Sequence, residues 1–197
     1  MLLRHSAETV RHSAQLCNCA IAHNTGSRIS RGWMHTQAGM DKRLSPNFLL
    51  SEFTRSQAAA RQGRDVIVLP DSPVEYSLRR LCKLVLQPLR EAVGPIQVTS
   101  GYRPAWLNEL IGGSPRSQHG FGLAADIVAA GMSPLQLCRR IHALGLPYDQ
   151  LIHEFSGWCH VSIAADGLAR AEQLTAYHQD GFAKYTEGLH SIESPAA

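Results

Sequence analysis

The longest apolar period in the chain runs from Asp71 to Pro95, and it constrains the kind of domain this sequence can build. Val74, Leu78, Leu81, Cys82, Val85, Leu86, Leu89 and Val93 recur at helical spacing, which gathers them into one stripe along an α-helix. Asp71 and Ser72 offer side-chain acceptors to the first-turn amides, and Pro73 suits the first helical position because its missing amide would be unpaired there anyway. Pro88, inside the run, removes an amide and crowds the preceding turn, so a bend or loosened turn is expected. Gly94-Pro95 closes the helix.

The chain beyond Pro95 is rich in strand signals. IQVTS (96–100) alternates with period two, and LAADIVA (123–129) is a run of small and apolar residues. DQLIHEF and WCHVSI flank a Ser156-Gly157 turn, and EQLTAYH and FAKYTEG flank Gln179-Asp180-Gly181, whose Asp-Gly step is a hairpin signal. Shorter helices are expected over the Ala-rich TRSQAAARQG, stopped by Gly63, around Ala105 to Ile111, and from Ser133-Pro134 through Leu144. Helices come first and strands last, which predicts an α+β domain with helices packed on one face of a largely antiparallel sheet.

Of the 197 residues, 44% are hydrophobic and 18% charged, the balance of one globular domain with tails. Residues 1–39 contain one acid, Glu8, and no sustained apolar period; they read as a disordered extension. The domain spans 40–189, and 190–197 form a tail. The net charge of +3 comes from scattered Lys and Arg, without the basic runs of a nucleic-acid binder. No stretch is long and apolar enough to span a membrane. Met1 to Arg4 lacks the apolar core of a secretory signal, so synthesis in the cytoplasm with no export route of its own is expected. Five cysteines, an odd number, argue against a disulfide framework. Cys17 and Cys19 form a C-x-C pair with no second pair nearby and read as unpaired thiols.

The candidate chemistry lies in three residues. His119 and Asp126 stand seven apart across GFGLAA, whose small residues let a loop histidine and a strand carboxylate converge on one ion. His160 sits mid-strand, sharing a face with Trp158 and Ser162. Three protein ligands leave a fourth position open, as a catalytic zinc requires. Spacing alone leaves other readings open. In a chain with ten histidines, His119 could bond its own backbone, Asp126 could accept from neighbouring amides, and His160 could be a half-buried sheet residue.

The segments VTSGYRP, GGSPRSQHGFGLAADI and DQLIHEFSGWCHVSI, in this order, resemble the D-alanyl-D-alanine carboxypeptidase-type zinc peptidases of the M15 family, especially its small bacterial and phage members. The resemblance covers about Leu44 to Leu189 and implies the fold shared with the zinc-binding domain of hedgehog signalling proteins. It implies one Zn2+ per chain on His119, Asp126 and His160, with Ser117 beside the first ligand and Arg103 holding a substrate carboxylate or carbonyl. The guanidinium fork suits a peptide carboxylate by two parallel hydrogen bonds. Some members carry Glu three residues before the last histidine; here that residue is Gly157. The remaining carboxylate in reach is Glu154, on the adjoining strand, which becomes the expected general base. His153 points to the other face, and His142 reads as structural. Peptidoglycan peptides are the implied substrates and the cell wall or periplasm the implied site of action, reached through phage lysis or as part of a phage particle. A monomer is expected. The alternative is a non-catalytic, zinc-containing module that binds peptidoglycan or belongs to a phage particle.

Overall fold

The computed structural model describes residues 41–192. The extension assigned to 1–39, with its C-x-C pair, and the tail from 193 onward lie outside the described residues. The chain enters through a short antiparallel pair, β1 (Arg43–Ser45) and β2 (Phe48–Leu49), followed by α1 (Leu50–Thr54) and α2 (Gln57–Arg61). Ser56 caps α2 by accepting from the Ala59 amide. The long helix then begins at Ser72, whose hydroxyl accepts from the Glu75 amide, with Pro73 in its first turn.

This helix has three parts: α3 (Pro73–Leu81), a π-helical turn over Cys82–Leu86, and α4 (Gln87–Val93). The loosened turn expected from Pro88 is therefore present, and its form is specific. Pro88 has no N–H for the carbonyl four residues back, and its ring crowds that carbonyl. The preceding amide, Gln87, reaches back to Cys82 O instead, the longer step that defines a π-bulge. Gly94 ends α4 at φ 86°.

β3 (Ile96–Ser100), α5 (Ala105–Leu110), a 3₁₀ turn over Gln118–Phe121, β4 (Ala124–Ala129) and α6 (Pro134–Ala143) come next. The last third contains β5 (Gln150–Glu154), β6 (Trp158–Ser162), β7 (Glu172–Gln179) and β8 (Phe182–Glu187). Six strands form one sheet in the order β3-β4-β6-β5-β7-β8. Every neighbouring pair is antiparallel except β5 and β7, which run parallel. The fold is thus α+β on a mixed, largely antiparallel sheet.

Register divides this sheet into two faces. Ala125 pairs with Val161 and Ile127 with Cys159, while Leu151 also pairs with Val161; this face is closed to solvent and joins Leu78, Leu81, Val85, Leu86, Leu89, Leu137 and Ile141 in one core. Residues one step out of phase, Asp126, His160, Ile152 and Glu154, face the other way. Helices cover one face, and the opposite face carries polar groups. Between β5 and β6 the turn is Phe155–Gly157, with Phe155 at φ 52° and Ser156 at φ 55°. A phenylalanine in left-handed backbone is unfavourable. Its ring is held stacked on His178, centroids 4.3 Å apart, and edge-on to Trp158. No helix among the described residues is long and apolar enough to cross a membrane.

Candidate metal centre

His119 is placed by a short zipper between two loops. Its Nδ1 lies 2.7 Å from Gly101 O, and its own carbonyl accepts from the Arg103 amide at 3.1 Å. The 3₁₀ turn carrying it ends at Gly122, φ 68°. A Cβ there would lie 2.8 Å from Val74 O, so this position requires glycine for both its conformation and its space. Gly101 is tighter still, since a Cβ would meet Phe53 Cα at 2.5 Å. Of the two glycines between His119 and Asp126, Gly122 alone is required; a Cβ at Gly120 would lie 3.6 Å from Arg103 O, an ordinary contact.

Asp126 and His160 face each other across β4 and β6 as a registered pair. His119 Nε2 is 3.2 Å from Asp126 Oδ1 and 3.2 Å from His160 Nδ1, and His160 Nδ1 is 2.8 Å from Asp126 Oδ1. All three residues are buried, and one ligand atom from each falls within a common 4.8 Å. Burial lowers the His119 pKa, keeping the ring neutral, although Asp126 pulls the other way. Burial also opposes the Asp126 charge, but protons on the facing rings of His119 and His160 would hold its carboxyl far below the usual range.

The chemistry of this donor set fits a cation. A carbonyl oxygen has no proton, so His119 Nδ1 must be the donor to Gly101 O, and Nε2 is then a bare lone pair in the neutral ring. That lone pair meets a carboxylate oxygen and a second imidazole nitrogen. Asp126 Oδ1 is a second acceptor, and His160 Nδ1 becomes a third when its proton sits on Nε2, an arrangement in which a cation between the three atoms satisfies every lone pair. A ligating histidine whose other nitrogen donates to a backbone carbonyl is the usual arrangement in metal sites, and two imidazoles with one carboxylate suit zinc.

Around this cluster lies a cavity of about 680 Å³, lined by Arg103, Ser117, Ile152, Glu154, His160 and Tyr185 among others. Glu154 sits diagonally from His160 on the same face. Its Oε2 accepts from Trp158 Nε1 at 2.7 Å. Burial pushes the Glu154 carboxyl up against the pull of His160, with Asp126 adding to the rise. Arg103 directs Nη2 at Ser117 Oγ, 3.4 Å away, while its buried Nε has no partner among the described residues. The structure therefore brings all six sequence-identified residues to one place: three in the buried cluster, and Arg103, Ser117 and Glu154 on the cavity wall.

The other histidines weighed in the sequence lie elsewhere. His153 is buried on the opposite face, its ring nitrogen 2.9 Å from His190 O. His142 is exposed and bonded to Tyr148 Oη. Cys82, Cys138 and Cys159 are free and buried. Sequence reasoning missed the Gly101 carbonyl, the Trp158 bond to Glu154, and an ionic brace in which Asp149 accepts from Gln118 at 2.9 Å and from Arg170 at 2.6 Å. Only the second had a visible signal, Trp158 being on the His160 face. The other two depend on contacts between residues far apart in the chain.

A mixed sheet is covered by helices on one face, and on the other a buried His-Asp-His cluster with the donor set of a metal centre opens into a cleft. The family model described as Peptidase M15 matches residues 46–162, more than half of the chain and all six of these residues. The chain belongs to the M15 peptidase family. No curated protein matches it.

Proposed function

We propose that the chain is a zinc-dependent peptidase that hydrolyses amide bonds in peptidoglycan stem peptides, as a D-Ala-D-Ala carboxypeptidase or an endopeptidase. The observation that carries this reading is the convergence of three buried ligand atoms, with the His119 Nδ1–H directed away to Gly101 O, beside a carboxylate on the wall of the adjoining cavity.

His119, Asp126 and His160 would hold one Zn2+. When bound, the ion supplies Lewis acidity, polarising the scissile carbonyl and making water a competent nucleophile near neutral pH. Glu154 accepts a proton from the attacking water and returns it to the leaving amine as the C–N bond breaks, leaving a carboxylate and a free amine. The raised carboxyl affinity for protons suits a group that must both take and give one. Trp158 holds Glu154 Oε2 in place. Arg103 binds a substrate carboxylate or carbonyl through its fork, and Ser117 steadies that fork.

The test is mass spectrometry of defined muropeptides incubated with protein loaded with zinc, together with the metal content of the same sample. About one zinc per chain and the two fragments of a single amide hydrolysis are expected. Full zinc loading with no cleavage of any wall peptide would overturn the peptidase reading and favour a zinc-containing binding module.

A further inference from the structure

The site face of the sheet continues beyond Glu154. Strand pairing carries one transverse row through Trp158, Glu154, Ala176 and Tyr185, across β6, β5, β7 and β8. Residues paired in this way project to the same face. Tyr185 thus stands in the row of Glu154, two strand spacings of about 4.8 Å each away. The residue between them is alanine, fully buried, so no long side chain stands in the row between the phenol and the carboxylate. Tyr185, Glu154 and His160 all line the same cavity.

The phenol has the character of a donor. Burial raises its pKa, and the carboxylates of Glu154 and Asp126 add to the rise, so the hydroxyl keeps its proton at neutral pH. Among the described residues it has no hydrogen-bond partner. Tyr185 is 54% exposed, and it forms part of the cavity wall. Arg103, beyond β3 at the far end of the strand order, supplies a charged fork, and Tyr185 supplies a neutral donor on the β8 side.

We propose that Tyr185 is a substrate-binding residue whose phenol donates a hydrogen bond to a main-chain carbonyl oxygen of the peptide held between Arg103 and β8. The proposal rests on the peptidase reading above and adds to it a second anchor on the opposite side of the base.

The test uses Tyr185→Phe in the full chain, with the muropeptide that the wild type cleaves fastest. One neutral hydrogen bond made equally to substrate and transition state predicts a KM raised about five- to tenfold with kcat nearly unchanged. Zinc content and Tm should match wild type, because the ring remains. The same weakening should appear in the affinity of metal-free protein for that muropeptide, followed by tryptophan fluorescence. Tyr185→Ala should be at least as weak in both assays. Wild-type KM and affinity in Tyr185→Phe would overturn the proposal while leaving the peptidase reading intact. A wild type that neither cleaves nor binds any muropeptide would overturn both.

Discussion

At the scale of single residues, the proposed chemistry depends on where protons are directed. His119 donates its Nδ1–H to Gly101 O, and in the neutral ring this leaves Nε2 as a lone pair facing Asp126 and His160. Glu154 is placed differently: it lies on the cavity wall, one strand from His160, with a single indole donor and a raised pKa. A ligand needs a fixed lone pair, whereas a base needs a mobile proton. Glu154→Gln keeps the size and the bond from Trp158 but cannot take a proton from water at neutral pH. Turnover should fall by at least ~10², with zinc content and Tm near wild type; near-normal cleavage would move the base to another residue. GFGLAA and the alternation around His160 made a meeting of His119, Asp126 and His160 conceivable from sequence, but their expected roles, and that of Glu154, came from the resemblance to M15 peptidases and not from spacing. Tyr185 and Asp149 were not legible, because their relation to the site depends on the β5–β7–β8 pairing and on a loop contact, neither of which leaves a local periodicity.

Among the elements, the end of β3 lies tightly against α1. The Tyr102 amide bonds Phe53 O at 2.7 Å, and there is no room for a side chain at Gly101. Gly101→Ala must push the strand end away from α1 and take the Gly101 carbonyl with it. We expect a loss of roughly 2 kcal/mol or more in stability and weaker zinc binding through a displaced His119; wild-type metal affinity would show that the carbonyl is dispensable. A second junction joins the entering segment to α3 through Glu75, which is 3% exposed and bonded to Lys42 at 2.7 Å and Arg79 at 2.8 Å. Lys42 foremost, then Arg79, lowers the Glu75 pKa to about 2 against the cost of burial. A depressed carboxyl pKa stabilises the fold above its unfolded value near 4.5 and loses that contribution as pH falls toward about 2. Glu75→Gln should therefore lower Tm at pH 7, with the difference from wild type shrinking below about pH 4.5 and vanishing near pH 2; a constant difference across that range would refute the assignment. The helix-cap signals at Ser72-Pro73 and Ser133-Pro134 were readable because caps are local chemistry. The parallel pairing of β5 with β7 was not, since alternation marks a strand without stating its neighbour or direction.

For the molecule as a whole, the two faces of one sheet divide the labour. One face is packed against α6 and the long helix and gives the domain its stability; the other assembles the cluster from β4, β6 and the 3₁₀ turn. The cluster consequently joins three elements that the core holds only from behind. Zinc that binds the native chain and not the unfolded one should raise stability by about 2.7 kcal/mol at a free concentration of a hundred times Kd. Chelation should lower Tm correspondingly, and zinc should restore it; a Tm insensitive to both would refute a folded-state zinc site. The turn Phe155–Gly157 imposes a further condition on this arrangement, one of pairing. Residues opposite one another on two strands face the same side, so Glu154 shares the face of His160 because it pairs with Trp158. The loop can lengthen or shorten while that pairing is kept, but a slip of β5 against β6 by one residue would turn the carboxylate into the core and leave the histidine in the cleft. The proposed base thus depends on hairpin register and not on loop length, unless a carboxylate is supplied from another position, such as the one that Gly157 now occupies.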